Sequence, residues 1–412
     1  MKLLVIFSLI FLLDLYFYLG VYSLFNNTIT SNLFKFFYWL SSLIVYLMII
    51  YVILNYEKKT PSIHFNNSIL YSSLVFIFLI SKFIGIVPLL VDDILRFIKY
   101  FTRFFQHSEN YYDTSRLEFL KKSSLIASGI IFSTFLMGIK WGRYNFKKNF
   151  QDIKIDKWPT SLNGFKIVHI SDLHLGSFQK VEKLELVVEM INEENPDIVV
   201  FTGDLVNNYY YEALPYVNTL KKIKARIGKF SILGNHDYCD YTNLKRSSIE
   251  WKKNFNNLLK LQKDAGFDLL LNESRVIDIK NYKFNIVGVE NWGAGNFNKD
   301  GDLDLSMNDV NDKIPTILLS HDPSHWSEKV LNSDYNIDLQ LSGHTHGMQF
   351  GIEIPGFKWS PVKYRYSQWA GLYNKHGKQI YVNRGVGHLG YAGRVGIMPD
   401  ISVLKLYSKI EY

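Results

Sequence analysis

Five short motifs follow one another along the chain: Asp172-Leu173-His174, Gly203-Asp204, Gly234-Asn235-His236-Asp237, Ser320-His321 and Gly343-His344-Thr345-His346. They set carboxylate and amide oxygens beside several imidazoles, a donor set suited to two metal ions side by side. A packed core has no use for so many polar groups directly after apolar strands. Imidazole mixed with oxygen donors favours Mn, Fe or Zn over Ca, and the motifs do not choose among those three. Ser320-His321-Asp322 is not a serine-hydrolase triad, because adjacent residues on a strand point to opposite faces.

The elements that must position these groups read as strand, motif, helix, repeated from Gly164 onward. Phe165 to Ile170, Asp197 to Phe201, Lys229 to Leu233, Lys283 to Val289, Thr316 to Leu319 and Asp338 to Leu341 are short apolar strands. Val181 to Glu194 carries Leu184, Val187, Val188 and Ile191 at helical spacing. Asn291 to Asn311, rich in Gly, Asn and Asp, reads as a long surface loop. Each motif begins within a residue or two of a strand's end, and in open α/β sheets sites gather at the carboxyl ends of strands. Five loops spread over most of this region are therefore expected to meet in one cleft.

Each motif alone is weak, but all five in this order are specific, and from Phe165 onward the sequence resembles the calcineurin-like metallophosphoesterases. Tyr381-Val382-Asn383-Arg384-Gly385-Val386-Gly387 and Met398-Pro399-Asp400-Ile401 resemble the closing segments of its membrane-attached bacterial members, the YkuE-like and YaeI-like phosphodiesterases. The resemblance implies an α/β fold, a two-sheet β-sandwich flanked by helices. It implies Asp204 as a carboxylate bridging two divalent ions, with Asp172, His174 and His346 completing one shell and Asn235, His321 and His344 the other. Two such ions about 3.5–4 Å apart can clamp the attacking and leaving oxygens of a phosphoester and lower the pKa of a bound water. His236 would face the substrate and give a proton to the leaving oxygen, a task suited to a group that titrates near working pH.

Two positions depart from the family pattern. In protein-phosphatase relatives an Asp orients the histidine equivalent to His236; here that position is Asn207, so a neutral amide or another group must hold the ring. Met348 stands where the bacterial subgroup commonly has glycine, and it either narrows the cleft or meets an apolar substrate. His169 reads as a core histidine, and His325, His376 and His388 as packing or surface residues. Arg384 and Arg394 read as surface ion-pair arginines, with contact to a phosphate oxygen as the alternative.

The first ~140 residues are of another kind. Leu3 to Leu24, Phe36 to Leu54 and Ile69 to Val91 approach or exceed the ~20 apolar residues that cross a bilayer, and Ser123 to Ile139 is a shorter fourth span. Residues 1–140 thus form an all-helical transmembrane region, 141–163 a polar linker and 164–412 the metallophosphoesterase domain. Asp14 and Lys82 lie inside spans, where ionisable groups face protein or water. Leu89 to Phe105 mixes apolar and basic residues as in a helix lying on a membrane surface.

The net charge of +8 draws on Arg96, Lys99, Arg103, Arg116, Lys121, Lys122, Lys140, Arg143, Lys147 and Lys148, which flank the membrane segments. The lipid bilayer, not nucleic acid, is the partner this placement favours, and it weighs against a nuclease. Cys239 is the only cysteine, which excludes an intrachain disulfide. Ser115-Arg116-Leu117-Glu118-Phe119-Leu120-Lys121 resembles a twin-arginine export signal with Leu117 in place of the second arginine. It places the catalytic domain on the extracytoplasmic face of a bacterial inner membrane. The expected activity is hydrolysis of a phosphate ester, as a phosphodiesterase or pyrophosphatase. Its substrate could be lipid-linked, such as the UDP-2,3-diacylglucosamine cleaved by some relatives. The competing expectation is a membrane scaffold or sensor whose metal site is hydrolytically silent.

Overall fold

The computed structural model describes residues 2–25, 27–56, 63–103 and 114–409, with side chains at 2–4, 56, 63–66, 103 and 114–116 excepted. The side chains of Arg103 and Arg116, and residues 104–113, thus lie outside the described residues. The chain divides into two compact units, Met1–Lys140 and Trp141–Tyr412.

The first unit consists of α1 (Lys2–Tyr22), α2 (Thr28–Tyr56), α3 (Ile63–Arg103) and α4 (Thr114–Lys140). All four are long and apolar enough to cross a membrane. The amphipathic stretch after Leu89 is not a separate surface helix. It continues α3 through Pro88 as far as Arg103. Polar groups inside the spans find one another: the Lys82 ammonium donates to the Asp14 carboxylate, and both are buried. The Tyr46 hydroxyl donates to the other Asp14 oxygen at 2.9 Å. The Tyr38 hydroxyl donates to the Asp14 carbonyl at 2.7 Å, and Lys82 lies 3.7 Å from the Phe78 ring centroid. This knot ties α1, α2 and α3 together.

The second unit begins with β1 (Lys147–Ile155), inside the stretch expected to be a linker. Its alternation buries Ile153 and Ile155, and it lies parallel to the last strand, Lys147 opposite Asp400 through Ile155 opposite Ser408. The surplus of Lys and polar residues that reads as linker is the outward face of an edge strand. There follow β2 (Phe165–Ile170), α5 (Val181–Glu193), β3 (Ile198–Phe201), the short α6 (Val217–Leu220), β4 (Gly228–Ser231), α7 (Ile249–Asp264), β5 (Asp268–Leu269), β6 (Glu273–Ile279) and β7 (Tyr282–Gly288). The chain continues with α8 (Leu303–Met307), β8 (Thr316–Leu319), α9 (Ser324–Glu328), β9 (Leu339–Ser342), β10 (Ile352–Ile354), β11 (Phe357–Trp359), β12 (Gly371–Lys375), β13 (Lys378–Val382) and β14 (Asp400–Ser408). Part of the expected 291–311 loop is therefore helical.

Two six-stranded sheets form, ordered β1-β14-β2-β3-β4-β5 and β12-β13-β9-β8-β7-β6. Ile167, Val200 and Phe230 of one sheet pack against Phe284, Ile317, Leu339 and Leu341 of the other. The outer face of the first sheet is covered by Leu184, Val187 and Ile191 of α5 and Leu258 of α7, and that of the second by Met307 and Trp326. The result is a β-sandwich flanked by helices. Strands β2, β3 and β4 are parallel to one another, as are β7, β8 and β9. Loops leaving each set of parallel strands therefore gather at one end of its sheet.

Removing one partner of a buried ion pair costs about 3–5 kcal/mol, because the other charge is left unsatisfied. Asp14→Ala should therefore lower the thermal stability of the detergent-solubilised chain strongly. The double variant Asp14→Ala/Lys82→Met should recover most of the loss in the same melting experiment, and equal melting points for the two would contradict this account.

Candidate metal centre

Every motif lies just beyond a parallel strand: Asp172 after β2, Asp204 after β3, Asn235 after β4, His321 after β8 and His344 after β9. The backbone there is bent sharply. Asp172, His174, Asp204, His344 and His346 all have positive φ, between 44° and 71°. That left-handed conformation costs about 1–2 kcal/mol for a residue with a Cβ, and Asp and His tolerate it better than most. The adjoining glycines leave no room for a side chain. A Cβ on Gly203, itself at φ +92°, would overlap the Gly234 backbone, and one on Gly343 would overlap Ser171 and the Asp172 carboxylate.

These turns aim the donor atoms at one another. His174 Nε2 stands 3.1 Å from His346 Nε2, and Asp172 Oδ1 stands 3.3 Å from the same His346 atom. On the other side, Asn235 Oδ1 is 3.1 Å from His321 Nε2 and 2.8 Å from His344 Nδ1. Asp204 Oδ2 reaches both groups, 3.5 Å from His174 Nε2 and 3.2 Å from His321 Nε2. Two sets of donor atoms, Asp172–His174–His346 and Asp172–Asp204–His321, lie within 4.8 Å of one another and are buried. All seven residues expected from the sequence are thus brought together.

Hydrogen bonds fix which atom of the His321 and His344 rings faces inward. His321 Nδ1–H donates to the Thr202 carbonyl at 2.7 Å, turning Nε2 toward Asp204. The Asn235 amide donates to the Tyr241 hydroxyl at 2.7 Å, which leaves its oxygen directed at the imidazoles. The His344 backbone N–H donates to the Asp172 carboxylate at 2.9 Å, and its Nε2 meets the Tyr366 hydroxyl at 2.9 Å. Burial pushes the His174 imidazole down to about 3, so it is neutral and its ring nitrogen is free to bind a cation. Burial alone would raise the Asp172 and Asp204 carboxyls, but the surrounding imidazoles outweigh it and hold both below the usual carboxylate range. Ionised carboxylates and a neutral imidazole whose Nε2 stands 3.1 Å from another fit a site built around cations.

Known proteins resemble both units of the chain. A model of the calcineurin-like phosphoesterase domain matches residues 165–348, and one of the transmembrane domain of such phosphoesterases matches residues 1–143. The metallophosphoesterase YkuE of Bacillus subtilis is 33% identical over 259 residues, covering 62% of this chain and 84% of that protein. The chain belongs to the calcineurin-like metallophosphoesterases. A transmembrane protein with a metallophosphoesterase domain from Danio rerio is 31% identical over 265 residues, 62% of this chain, which span 56% of its length. The UDP-2,3-diacylglucosamine pyrophosphatase LpxG of Chlamydia trachomatis is 30% identical over 273 residues, 55% of this chain and 79% of that one. This metallophosphoesterase is a membrane protein and a metal-dependent phosphoric ester hydrolase of a family that uses a dinuclear centre.

His236 has its backbone N–H on Asp204 Oδ1 at 2.8 Å, and its ring lies 4.4 Å from that of Tyr241. Its Nδ1–H donates to the main-chain carbonyl of Asn207 at 2.7 Å, so the partner is the backbone and not the amide. The Asn207 side chain points elsewhere, to Ser177. Glu212 accepts the backbone N–H groups of Asn207, Asn208 and Tyr209 at 2.7–3.0 Å and thereby fixes that carbonyl.

Arg384 and Arg394 are not surface residues. Arg384 is buried between Asp400 and Glu353. Arg394 is fully buried, donates to the Gly385 and Gly387 carbonyls at 2.9 and 2.6 Å, and backs onto His346 Nδ1 at 3.3 Å. Arg394 thus braces the loop that carries His346, while Arg384 ties β10 to β14. His169 is buried against Thr202, as expected of a core residue, and His325 and His388 are also buried.

Sequence reasoning missed Asp237. Its carboxylate accepts the backbone N–H groups of Asp204, Leu205 and Gly234 at 2.8–3.0 Å, clamping two motif loops together. Its place in the Gly234–Asp237 motif was the available signal, but a carboxylate bound to backbone N–H groups looks like a ligand from sequence. Losing such a support typically costs 10–100-fold in metal affinity. Asp237→Ala should reduce metal affinity by about that factor in a titration followed by elemental analysis, although Asp237 touches no donor atom. Unchanged affinity would show that the loops hold themselves.

Proposed function

We propose that this metallophosphoesterase cleaves a phosphodiester or pyrophosphate bond in a lipid-linked molecule. One cation would be held by Asp172, His174 and His346, the other by Asn235, His321 and His344, and Asp204 would be shared. The observation that carries this assignment is the position of Asp204 Oδ2 within 3.5 Å of an imidazole from each group. Bound divalent ions supply charge neutralisation at the phosphate and acidify a water.

The remaining chemistry belongs to His236. With Nδ1–H engaged by the Asn207 carbonyl, Nε2 is its proton-transfer atom. Burial pushes its pKa below that of a free imidazole, which makes its protonated form a stronger acid toward a leaving alkoxide. Two departures favour a silent scaffold, Asn207 in place of an aspartate and Met348 in place of a glycine. A main-chain carbonyl orients His236 whatever the side chain at 207, so the first of them carries no weight.

A lipid-linked substrate is supported by the four membrane helices and by the similarity to LpxG, named for its action on UDP-2,3-diacylglucosamine. The domain is assigned to the extracytoplasmic face of a bacterial inner membrane on the sequence resembling an export signal, Ser115 to Lys121, at the start of α4. A C-terminal reporter active only outside the cytoplasm should give signal.

The full chain, solubilised and loaded with Mn, should hydrolyse bis-p-nitrophenyl phosphate in preference to p-nitrophenyl phosphate. Asp204→Ala should abolish turnover, and His236→Ala should lower kcat by ~10²-fold or more with metal content unchanged. Chelation should abolish activity and added Mn restore it. Full activity in Asp204→Ala would remove the assignment.

A further inference from the structure

Directly after the metal loop the chain forms a two-stranded sheet of its own, β10 and β11. The register pairs Ile352 with Trp359, Glu353 with Lys358 and Ile354 with Phe357. Directly opposed residues share a face, so Ile352, Ile354, Phe357 and Trp359 form one apolar face and Glu353 and Lys358 a polar one. The polar face is engaged by the domain: Glu353 accepts from the Arg384 guanidinium and Lys358 donates to the Ala370 carbonyl. The apolar face meets solvent, with Ile352, Ile354 and Phe357 exposed by 49%, 58% and 53%. Met348 and Tyr364, at 58% and 77%, add further exposed apolar surface close by in the chain.

A soluble domain rarely keeps an exposed patch of this kind without a use for it. Nor is the hairpin loose. Gly351 N–H donates to the Val395 carbonyl at 2.9 Å, and the Ser360 hydroxyl donates to the Gly347 carbonyl at 2.8 Å, so both ends are pinned beside the metal loop. Its charge is one-sided. Between His346 and Tyr366 the sole acidic residue is Glu353, already paired, against Lys358, Lys363 and Arg365. An apolar face in a stretch of chain whose unpaired charge is basic is complementary to an anionic lipid surface. The same chain carries four membrane helices, and the catalytic unit starts at the residue after the last of them.

We propose that the β10–β11 hairpin is a membrane-docking element that sets Ile352, Ile354, Phe357 and Trp359 into the interfacial layer of an anionic bilayer. Docking brings the metal loop to the level of the lipid headgroups. The contact stands whichever phosphoester is cleaved.

The test uses the full chain in nanodiscs of phosphatidylcholine and phosphatidylglycerol. Phe357→Cys is labelled with a polarity-sensitive fluorophore; native Cys239 is buried with its thiol pushed up to about 11, and stays unlabelled. Lys375→Cys, at the opposite end of its sheet from the metal loop, is the control. Lipids carrying a spin label in the acyl chain should quench the Phe357→Cys probe by about twofold or more and leave the Lys375→Cys probe unchanged. A label on Ile354→Cys should lose that quenching when Phe357→Glu is added, while Phe357→Glu alone keeps its turnover of bis-p-nitrophenyl phosphate. Equal quenching at positions 357 and 375 would overturn the proposal. So would a probe shielded from an aqueous quencher but untouched by the labelled lipid, since a second copy of the chain would then cover the hairpin. Quenching reads contact with lipid without any turnover, so failure of docking and failure of the hydrolase reading are told apart.

Discussion

Seven donor side chains are held with their nitrogen and oxygen atoms facing one another at 2.8–3.5 Å, six of them buried and His344 nearly so. Such a cluster is costly without a cation, because lone pairs and carboxylate charges crowd together in a medium of low dielectric. The fold holds it through the backbone. Five of the residues sit in the left-handed region, and each turn is locked by hydrogen bonds from the neighbouring motif. Asp172 N–H donates to the Gly203 carbonyl and His174 N–H to the Asp204 carbonyl; Gly343 N–H donates to the His321 carbonyl. Strain of this sort persists where the surroundings over-determine it, and it gathers at functional sites.

The sheets explain why the cluster can exist at all. Within each set of parallel strands every carboxyl end lies at the same edge, so a short loop after each strand delivers its ligand to one place. The two sets face each other across an apolar layer that includes Val200, Ile232, Ile317 and Leu319. A substitution in this layer would move the rims against each other, which couples packing to the spacing of donor atoms.

The donor set was legible because apolar strands of four to six residues end abruptly in polar motifs, and that pattern survives without any tertiary information. The clamps were not. Asp237, Glu212 and Arg394 act through backbone groups that only the fold brings to them, and no spacing rule points from a carboxylate to the N–H groups it will accept. Residues 147–155 read as a linker because only Ile153 and Ile155 of the strand are deeply buried, and its partner is the last strand, at the far end of the chain. The partner of His236 was open for a different reason: a main-chain carbonyl leaves no trace in the residue type.

The pairing of Asp14 with Lys82 and the exposure of the β10–β11 hairpin bear on the same solvent from opposite sides. Inside a bilayer an ionised group is tolerated only when paired, and these two are paired and further satisfied by Tyr46 and Ser42. In water an apolar hairpin face is a liability, and the hairpin keeps one while committing its polar groups to the domain. Each feature is unfavourable in the wrong medium and suited to a chain that works at the boundary. The Ser360 hydroxyl donates to the carbonyl of Gly347, one residue beyond His346, so the hairpin is tied to the loop that carries that imidazole.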